Sequence, residues 1–316
     1  MLSKENNLFR YRIEGDHAVI ETCIEDYPVV EFPKIMDGFP VTELEGYVLS
    51  GKNCEEVLIP EGIKKIGRYG FYNCRNLRKL TFSSDFMDIG SGAFTGCHHI
   101  REMNVLMRYE EEADQKINAV TANEQTALRE ILTEVPEEIC VTLIWKCKES
   151  EKRRKAVLWF PEFFEESIEN TPARILSVQT HGSGMFYRNC FQGKVFQFAE
   201  YDKRFETACA LESERFLMEL VTGRLMYPME LGEKAKKKYE EFLYQHRSEM
   251  MKYWIDKKRE EELEWIVEAY PHKREEQEEY KKIMEYAARK GTPAMISSLM
   301  EYGRKLFPPK RKSFEL

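Results

Sequence analysis

The chain has 316 residues, and its 48 lysine and arginine residues against 55 aspartate and glutamate residues give a formal net charge of −7. This acidic balance argues against general nucleic-acid affinity, which needs a positive surface to replace phosphate counterions. No stretch approaches the roughly 20 apolar residues that span a bilayer, and the start has no apolar run typical of a signal peptide. We therefore expect a cytoplasmic protein of two or three domains, with neither nucleic acid nor membrane as partner.

The eight cysteines fit a reducing compartment. They are Cys23, Cys54, Cys74, Cys97, Cys140, Cys147, Cys190 and Cys209. None forms a C-x-x-C pair, and no cysteine and histidine residues have zinc-ligand spacing. We therefore expect no metal and no cofactor, and we interpret the cysteines as structural thiols, since free cysteine is mostly buried.

The first third of the chain repeats itself. Residues 66–80, "IGRYGFYNCRNLRKL", recur 23 positions later as residues 89–103, "IGSGAFTGCHHIREM". Apolar positions match and the positions between them differ, as expected when only inward-facing residues are constrained. The stretch "FPVTELEGYVLSGKNCEEVLIP" is a weaker preceding copy with a one-residue slip. A period between 20 and 50 residues indicates a solenoid, in which stacked coils bury each other's apolar sides.

Each repeat contains a short segment with strand-like alternation: "EVLI", "KLTF" and "EMNV". The predicted inward residues are Val57, Ile59, Leu80, Phe82, Met103 and Val105. The alternate residues then face outward in two rows, and these rows are Glu56, Lys79, Glu102 and Leu58, Thr81, Asn104. Adjacent coils lie about 4.8 Å apart, which places Lys79 between two carboxylates. These six residues form a candidate partner-binding face; the alternative, which the small energy of surface ion pairs favours, is a surface charge ladder.

These repeats resemble the BspA-type leucine-rich repeat, whose motif runs I-G-x-x-A-F-x-x-C-x-x-L. The resemblance covers roughly residues 8–107, including the hairpin "LFRYRIEGDHAVIETCIE" and the stretch "VVEFPKIMDGFPVTEL", which look like the usual start of such an array. It implies a right-handed coil with one short strand per turn, and an association with binding rather than catalysis.

The repeat stops in the polar residues 108–123, where we predict a boundary. Beyond it, "NEQTALREILTEVP" predicts a helix that ends at Pro136, and "CVTLIWKC" with "KAVLWF" predicts a hairpin. The segment "PEFFEESIEN" has the proline of a helix start, "RILSVQT" is typical of a strand, and "MFYRNCFQGKVFQF" is aromatic and strand-like. This region resembles no enzyme family.

One stretch of this region, "THGSGMFYRNC", contains residue types that are common in catalytic and ligand-binding sites. A nucleophile and base could be drawn from Ser183 or Cys190 with His181, and His181, Tyr187 and Arg188 could hold a small polar ligand. The opposing interpretation is a flexible G-S-G turn beside core aromatic residues. No G-x-S-x-G motif follows a strand, so the sequence favours the turn.

From about residue 199 the apolar spacing becomes helical. In "KAKKKYEEFLYQHRSEMMKYW", residues that include Tyr239, Leu243 and Trp254 share one predicted buried face. The stretch "AARKGTPAMISSLMEYG" predicts two helices joined at Gly291, with Thr292 as N-cap and Pro293 in the first turn. This pair resembles one ankyrin repeat, although no 33-residue period is evident upstream.

The sequence thus predicts an α+β multidomain protein. The predicted domains are a BspA-like leucine-rich-repeat β-solenoid (residues 1–108), a mixed α/β connecting region (109–200) and an ankyrin-like or HEAT-like α-hairpin stack (201–316). We predict a non-catalytic interaction scaffold or adaptor with an unidentified protein partner. The alternative is an enzyme or a small-ligand-binding protein with its site around His181–Cys190.

Overall fold

The computed structural model describes residues 3–84, 88–107, 126–146, 153–170 and 175–308. The chain divides into two compact units, Met1–Gly232 and Glu233–Leu316. The first contains a β-solenoid and the second is helical, so the predicted α+β class is confirmed. The division into three domains stays a prediction, and its polar boundary at 108–123 lies outside the described residues.

The elements of the described residues are numbered in chain order. The strands are β1 Lys4–Glu5, β2 Phe9–Glu14, β3 His17–Cys23, β4 Val29–Glu31, β5 Ile35–Met36, β6 Phe39–Leu44, β7 Glu56–Leu58, β8 Lys65–Ile66, β9 Lys79–Ser83, β10 Asp88–Ile89, β11 Glu102–Met107, β12 Ile139–Lys146, β13 Arg153–Phe160, β14 Phe164–Asn170, β15 Ile175–His181, β16 Phe191–Gln192 and β17 Val195–Phe196. The helices are α1 Thr126–Glu134, α2 Gly184–Arg188, α3 Phe198–Lys203, α4 Phe205–Leu211, α5 Glu214–Met226, α6 Glu233–Lys257, α7 Glu260–Ala269, a 3-10 turn Arg274–Glu276, α8 Gln277–Lys290 and α9 Pro293–Leu306.

Each solenoid coil contributes to two sheets. The first sheet has the order β1-β2-β3-β6-β8-β10, with β5 paired to β6, and the second has the order β13-β12-β11-β9-β7-β4. The expectation of one strand per coil is therefore wrong, because Ile66 and Ile89 of successive coils also pair in a parallel ladder. The three predicted repeat strands, "EVLI", "KLTF" and "EMNV", lie in the second sheet.

Strand register confirms the repeat and its slip. Lys79 pairs with Glu56 on one side and with Glu102 on the other, and both steps equal the offset between the two sequence copies. In the first sheet Leu44 pairs with Ile66, a step that is one position shorter, so the first coil is one residue shorter. Every predicted inward residue of these strands is at most 3% exposed. Each such side chain contributes about 1.5–3 kcal/mol to folding through its burial.

The corners between the two sheets stack as well. The rings of Phe71 and Phe94 lie parallel with centroids 4.9 Å apart. The thiols of Cys74 and Cys97 donate to the carbonyls of Leu49 and Phe71, in each case at 3.0 Å, and thereby tie each corner to the preceding coil. Both cysteines are at most 2% exposed, as expected for structural thiols.

The other cysteines follow this expectation only in part. Cys23, Cys54 and Cys190 are buried, Cys140 is half-buried, and Cys209 in α4 is exposed. Cys209 lies on a helix rather than in the solenoid, so stacking of coils does not cover it. Cys147 lies outside the described residues.

The glycine after each isoleucine is required by close packing of the coils. A Cβ atom on Gly90 would lie 2.4 Å from the backbone nitrogen of Arg68, and one on Gly67 would lie 2.2 Å from that of Gly46. No flexible side chain could move aside, because the obstacles are backbone atoms. The left-handed corner residue comes two positions after each of these glycines, at Tyr69 (φ 57°) and Gly92 (φ 70°).

A carboxylate closes the end of the corner ladder. In successive coils, Leu49 N donates to Gly70 O and Phe71 N to Ala93 O, both at 2.8 Å. At the equivalent position of the last coil, Phe94 N donates to Glu134 Oε2 at 2.7 Å, and Gly92 N donates to Glu134 Oε1 at 3.0 Å. Helix α1 thus supplies the acceptors that a further coil would have provided.

The second sheet has a different end. Strand β12 pairs parallel to β11, and β13 pairs antiparallel to β12, which confirms the predicted hairpin. The hydroxyl of Tyr201 accepts from Trp159 N at 2.9 Å and donates to Trp159 O at 2.7 Å on the outer edge of β13. Helix α5 also packs against β13, where Gly223 lies against Val157. These contacts cover an edge that would otherwise be open to further strands.

Two predictions for residues 161–198 are wrong. The segment predicted to begin a helix is strand β14, because its residues pair with β15 in a regular antiparallel register. The segment "MFYRNCFQGKVFQF" begins as helix α2 and only then forms the two short strands β16 and β17. The predicted helix ending before Pro136 and the strand "RILSVQT" are confirmed as α1 and β15.

In the second unit, α6 with α7 and α8 with α9 form two helical hairpins that stack, α6 on α8 and α7 on α9. Tyr239, Leu243 and Trp254 are fully buried, which confirms the predicted face of α6. Thr292 accepts from Met295 N as the N-cap of α9.

Buried positions of the two hairpins recur at one constant offset, which the sequence did not reveal. The equivalent pairs are Arg247 and Tyr280, Met250 and Ile283, Trp254 and Ala287, Glu262 and Met295, and Ile266 and Leu299. The offset equals the period of ankyrin repeats, and it is hidden because several of these pairs combine different residue types. The resemblance to ankyrin repeats itself stays a prediction.

A histidine is buried where α7 leads into α8. His272 is 4% exposed, its ring meets the edge of Tyr280, and neither ring nitrogen has a hydrogen-bond partner within the described residues. Burial and the nearby Arg247 lower the pKa of His272 to about 4, against the opposing carboxylates of Glu279 and Glu276. The neutral imidazole is therefore the form that the folded unit accommodates.

We predict that Glu134→Ala lowers the free energy of unfolding by about 1–3 kcal/mol, because two amide donors lose their acceptors. Urea titration of the full chain measures the change. Glu130→Ala, at an exposed position of the same helix, is the control and should change stability by less than about 0.5 kcal/mol. Equal effects of the two substitutions would contradict the capping role.

We also predict an acid-sensitive second unit. The folded-state pKa of His272 lies below the unfolded value of about 6.5, so unfolding takes up a proton in this range and stability falls as the pH falls from about 6.5 towards 4. Between about pH 7.5 and pH 5 the loss should be about 2 kcal/mol. Urea titrations at both pH values measure it, and His272→Gln should abolish this part of the loss. His99→Gln, at an exposed position, should leave the loss unchanged.

Candidate functional site

The predicted partner-binding face is the outer face of the second solenoid sheet. Glu56, Leu58, Lys79, Thr81 and Asn104 are half-buried there, and Glu102 is exposed. Cross-strand register joins them into the two predicted rows, Glu56–Lys79–Glu102 and Leu58–Thr81–Asn104. The structure therefore brings together all six residues, although their binding role stays a prediction.

Lys79 does not use its two neighbouring carboxylates equally. Its Nζ lies 2.8 Å from Glu56 Oε1, whereas no ion pair joins it to Glu102 within the described residues. In the second row Asn104 Nδ2 donates to Thr81 Oγ1 at 3.4 Å. Among the described residues, Glu102 of the charged row thus has no ion-pair partner.

The first solenoid sheet carries a similar charge ladder. Lys65 lies between Glu43 and Asp88 in the strand register, and its Nζ is 3.2 Å from Glu43 Oε2. Alternating charge is thus a property of both sheets and does not by itself mark a binding face. What distinguishes the second sheet is the uncharged row beside the ladder.

Sequence reasoning missed the continuation of this face beyond residue 107. Cross-strand register extends the charged row through Cys140 to Trp159 and the uncharged row through Thr142 to Val157. All four residues are half-buried. The alternation within "CVTLIWKC" and "KAVLWF" is the signal that could have extended both rows.

The alternative site around residues 181–190 does not assemble. The ring of His181 stacks on Phe164 and its Nε2 lies 3.2 Å from Glu166 Oε2. Ser183 Oγ donates to Glu212 Oε1 at 2.6 Å, and Cys190 Sγ donates to Phe186 O at 3.3 Å. Burial raises the pKa of Cys190 to about 11, which disfavours the thiolate. The structure thus gives neither predicted nucleophile a hydrogen bond to His181.

Arg188 is buried and donates hydrogen bonds to main-chain carbonyls. Its guanidinium donates to the carbonyls of Leu132, Val135, Glu137, Pro161 and Gly184. The adjacent Tyr187 is also fully buried, with its ring edge against Tyr201 at 4.7 Å. Arg188 is therefore a clamp that joins the end of α1 to the start of α2, and it does not point towards an incoming ligand.

The described residues hold no group of three or more histidine, cysteine, aspartate or glutamate side chains arranged for a metal ion. Within the same part of the chain, every helix is too short or too polar to cross a bilayer.

We predict that Arg188→Lys lowers the free energy of unfolding by about 3 kcal/mol, because lysine has three donors and no planar fork, which leaves buried carbonyls without partners. Urea titration measures this change. Arg154→Lys, at an exposed position of β13, should be close to neutral. A stable Arg188→Lys variant would mean that solvent or a ligand reaches the guanidinium.

Comparisons with known proteins concern the repeat. The family model of the BspA type leucine rich repeat region (6 copies) matches residues 40–138, so the match begins and ends later than the predicted span. No curated protein gives a significant match.

Solved leucine-rich repeat structures share about a third of the chain. A leucine rich cell surface protein from Faecalibacterium prausnitzii is 18% identical, with 33% of this chain and 37% of that chain covered and a TM-score of 0.28. A protein from Bacteroides capillosus is 20% identical over 32% of this chain and 80% of its own, with a TM-score of 0.31. One from T. pallidum is 17% identical over 33% and 71%, with a TM-score of 0.23. Together with the stacked coils, the family match shows that residues 40–138 are a BspA-type leucine-rich repeat region.

Proposed function

We propose that this protein is a non-catalytic interaction module that binds another protein through the outer face of its second solenoid sheet. The observation that carries the proposal is the continuous uncharged row Leu58–Thr81–Asn104–Thr142, which ends where helix α5 packs against Val157. Repeat solenoids present extended surfaces of this kind and use them for binding. A cytoplasmic location remains a proposal from the sequence.

The chemistry of the face supports a protein partner. The uncharged row offers the amide of Asn104 and the hydroxyls of Thr81 and Thr142 beside the apolar side chain of Leu58, and the neighbouring row adds Glu102 and the half-buried indole of Trp159. Protein interfaces combine such an apolar part with hydrogen-bonding groups, and aromatic residues are enriched in them. Among the described residues, the face has no concentration of positive charge that would suit a nucleic acid.

The geometry around residues 181–190 does not favour the alternative of an enzyme or small-ligand protein. Arg188 is occupied by main-chain carbonyls, and Tyr187 is inaccessible. His181 remains half-exposed, but its described partners are Phe164 and Glu166 rather than a nucleophile. No specific observation supports a second function.

The test compares matched charge reversals on the two sheets. Lys79→Glu and Lys65→Glu each break one surface ion pair worth about 0.2–1 kcal/mol, so both variants should remain folded. Leu58→Asp, beside Lys79, adds a charge to the uncharged row. Affinity capture from the native host followed by mass spectrometry identifies the partner, and each variant is then tested for binding to it.

We predict that Leu58→Asp with Lys79→Glu reduces partner binding at least about tenfold, which corresponds to 1.4 kcal/mol, whereas Lys65→Glu leaves it unchanged. Full retention by the double variant would move the binding site away from this face. Equal loss with Lys65→Glu would indicate a non-specific electrostatic effect.

A further inference from the structure

Strands β14 and β15 form an antiparallel pair, which we call the arm (residues 164–170 and 175–181). Neither strand pairs with any other strand of the described residues. Side chains on both faces are exposed, including Phe164 at 60% and Val178 at 61%. An isolated two-stranded hairpin is marginally stable in water, and three or more strands or a packing partner normally stabilise it.

The base of the arm is nevertheless firmly held. Ser183 N and Oγ both donate to Glu212 Oε1, at 2.8 and 2.6 Å. Arg188 binds the carbonyls of Pro161 and Gly184, which lie on either side of the arm. The arm is thus attached to the first unit by buried and charged hydrogen bonds while its strands are left exposed.

Charge is distributed unequally between the two strands. Strand β14, "FEESIEN", carries three glutamates, whereas β15, "ILSVQTH", has no aspartate, glutamate, lysine or arginine. Proteins protect exposed strand edges with charges, prolines or bulges. The glutamates of β14 protect its edge. Strand β15 has no such charge and no proline, and its regular register with β14 shows that it has no bulge.

We propose that the outer edge of β15 pairs antiparallel with the β15 edge of a second copy of this chain, so that the two arms form a four-stranded sheet. The occupant is a second copy because the edge is uncharged and is therefore compatible with itself. In this arrangement the two β14 strands lie outermost, about 14 Å apart at roughly 4.8 Å per strand. The glutamates of the two copies then do not oppose one another directly, as they would if the β14 edges paired.

Sedimentation velocity of the full chain over a range of concentrations tests the proposal. The wild-type protein should show a monomer–dimer equilibrium. Val178→Lys with Thr180→Lys places two like charges on each copy of the pairing strand and should shift the equilibrium to monomer. Thr180 lies opposite Glu165 in the arm, so the new lysine gains a carboxylate neighbour and the arm itself should be retained.

Ser167→Lys is the matched control for Val178→Lys alone, which should weaken the dimer. Ser167 is the cross-strand partner of Val178, so one lysine per copy is placed on the same face of the arm but on the other strand, and the dimer should persist. Hydrogen exchange provides a second readout: protection of β15 amides should rise with protein concentration, and protection of β12 should stay constant and so report that each variant is folded. A wild-type protein that remains monomeric throughout, or a dimer that survives the double substitution, would overturn the proposal.

Discussion

Main-chain hydrogen bonds between successive coils are the interaction on which the first unit depends. At each corner an amide of one coil donates to a carbonyl of the next, and both sheets add parallel ladders between the coils. Because these bonds join backbone to backbone, they require the coils to approach closely, which is why Gly67 and Gly90 lie against the backbone of the preceding coil. The apolar side chains then fill the space that the ladders enclose.

A ladder of this kind leaves unpaired groups wherever it stops, and the protein closes its two ladders differently. The carboxylate of Glu134 replaces missing carbonyls at the last corner, and the hydroxyl of Tyr201 serves both the amide and the carbonyl of Trp159 on the final strand. Both caps come from segments outside the repeat. The region after the last coil therefore contributes to the stability of the solenoid.

The solenoid could be predicted from the sequence because equivalent positions of adjacent coils have the same surroundings. Ile66 and Ile89, or Cys74 and Cys97, occupy equivalent positions of adjacent coils, so their offset was visible without a structure. The residues 164–170 were misassigned because a preceding proline and several glutamates are typical of a helix start, whereas their pairing partner β15 lies further along the chain. Arg188 looked like a ligand-binding cation because its carbonyl acceptors belong to distant residues such as Leu132 and Pro161.

The cap at Glu134 also bears on how such a chain can change its length during evolution. The carboxylate presents two oxygens where the next coil would present two carbonyls, so it recognises only the generic backbone of a corner and none of its side chains. Deleting or duplicating one whole coil, from a residue of one strand to its partner in the next, would bring an equivalent corner to the same place. Gain or loss of complete repeats in the gene can therefore lengthen or shorten the solenoid without any change in the cap at Glu134.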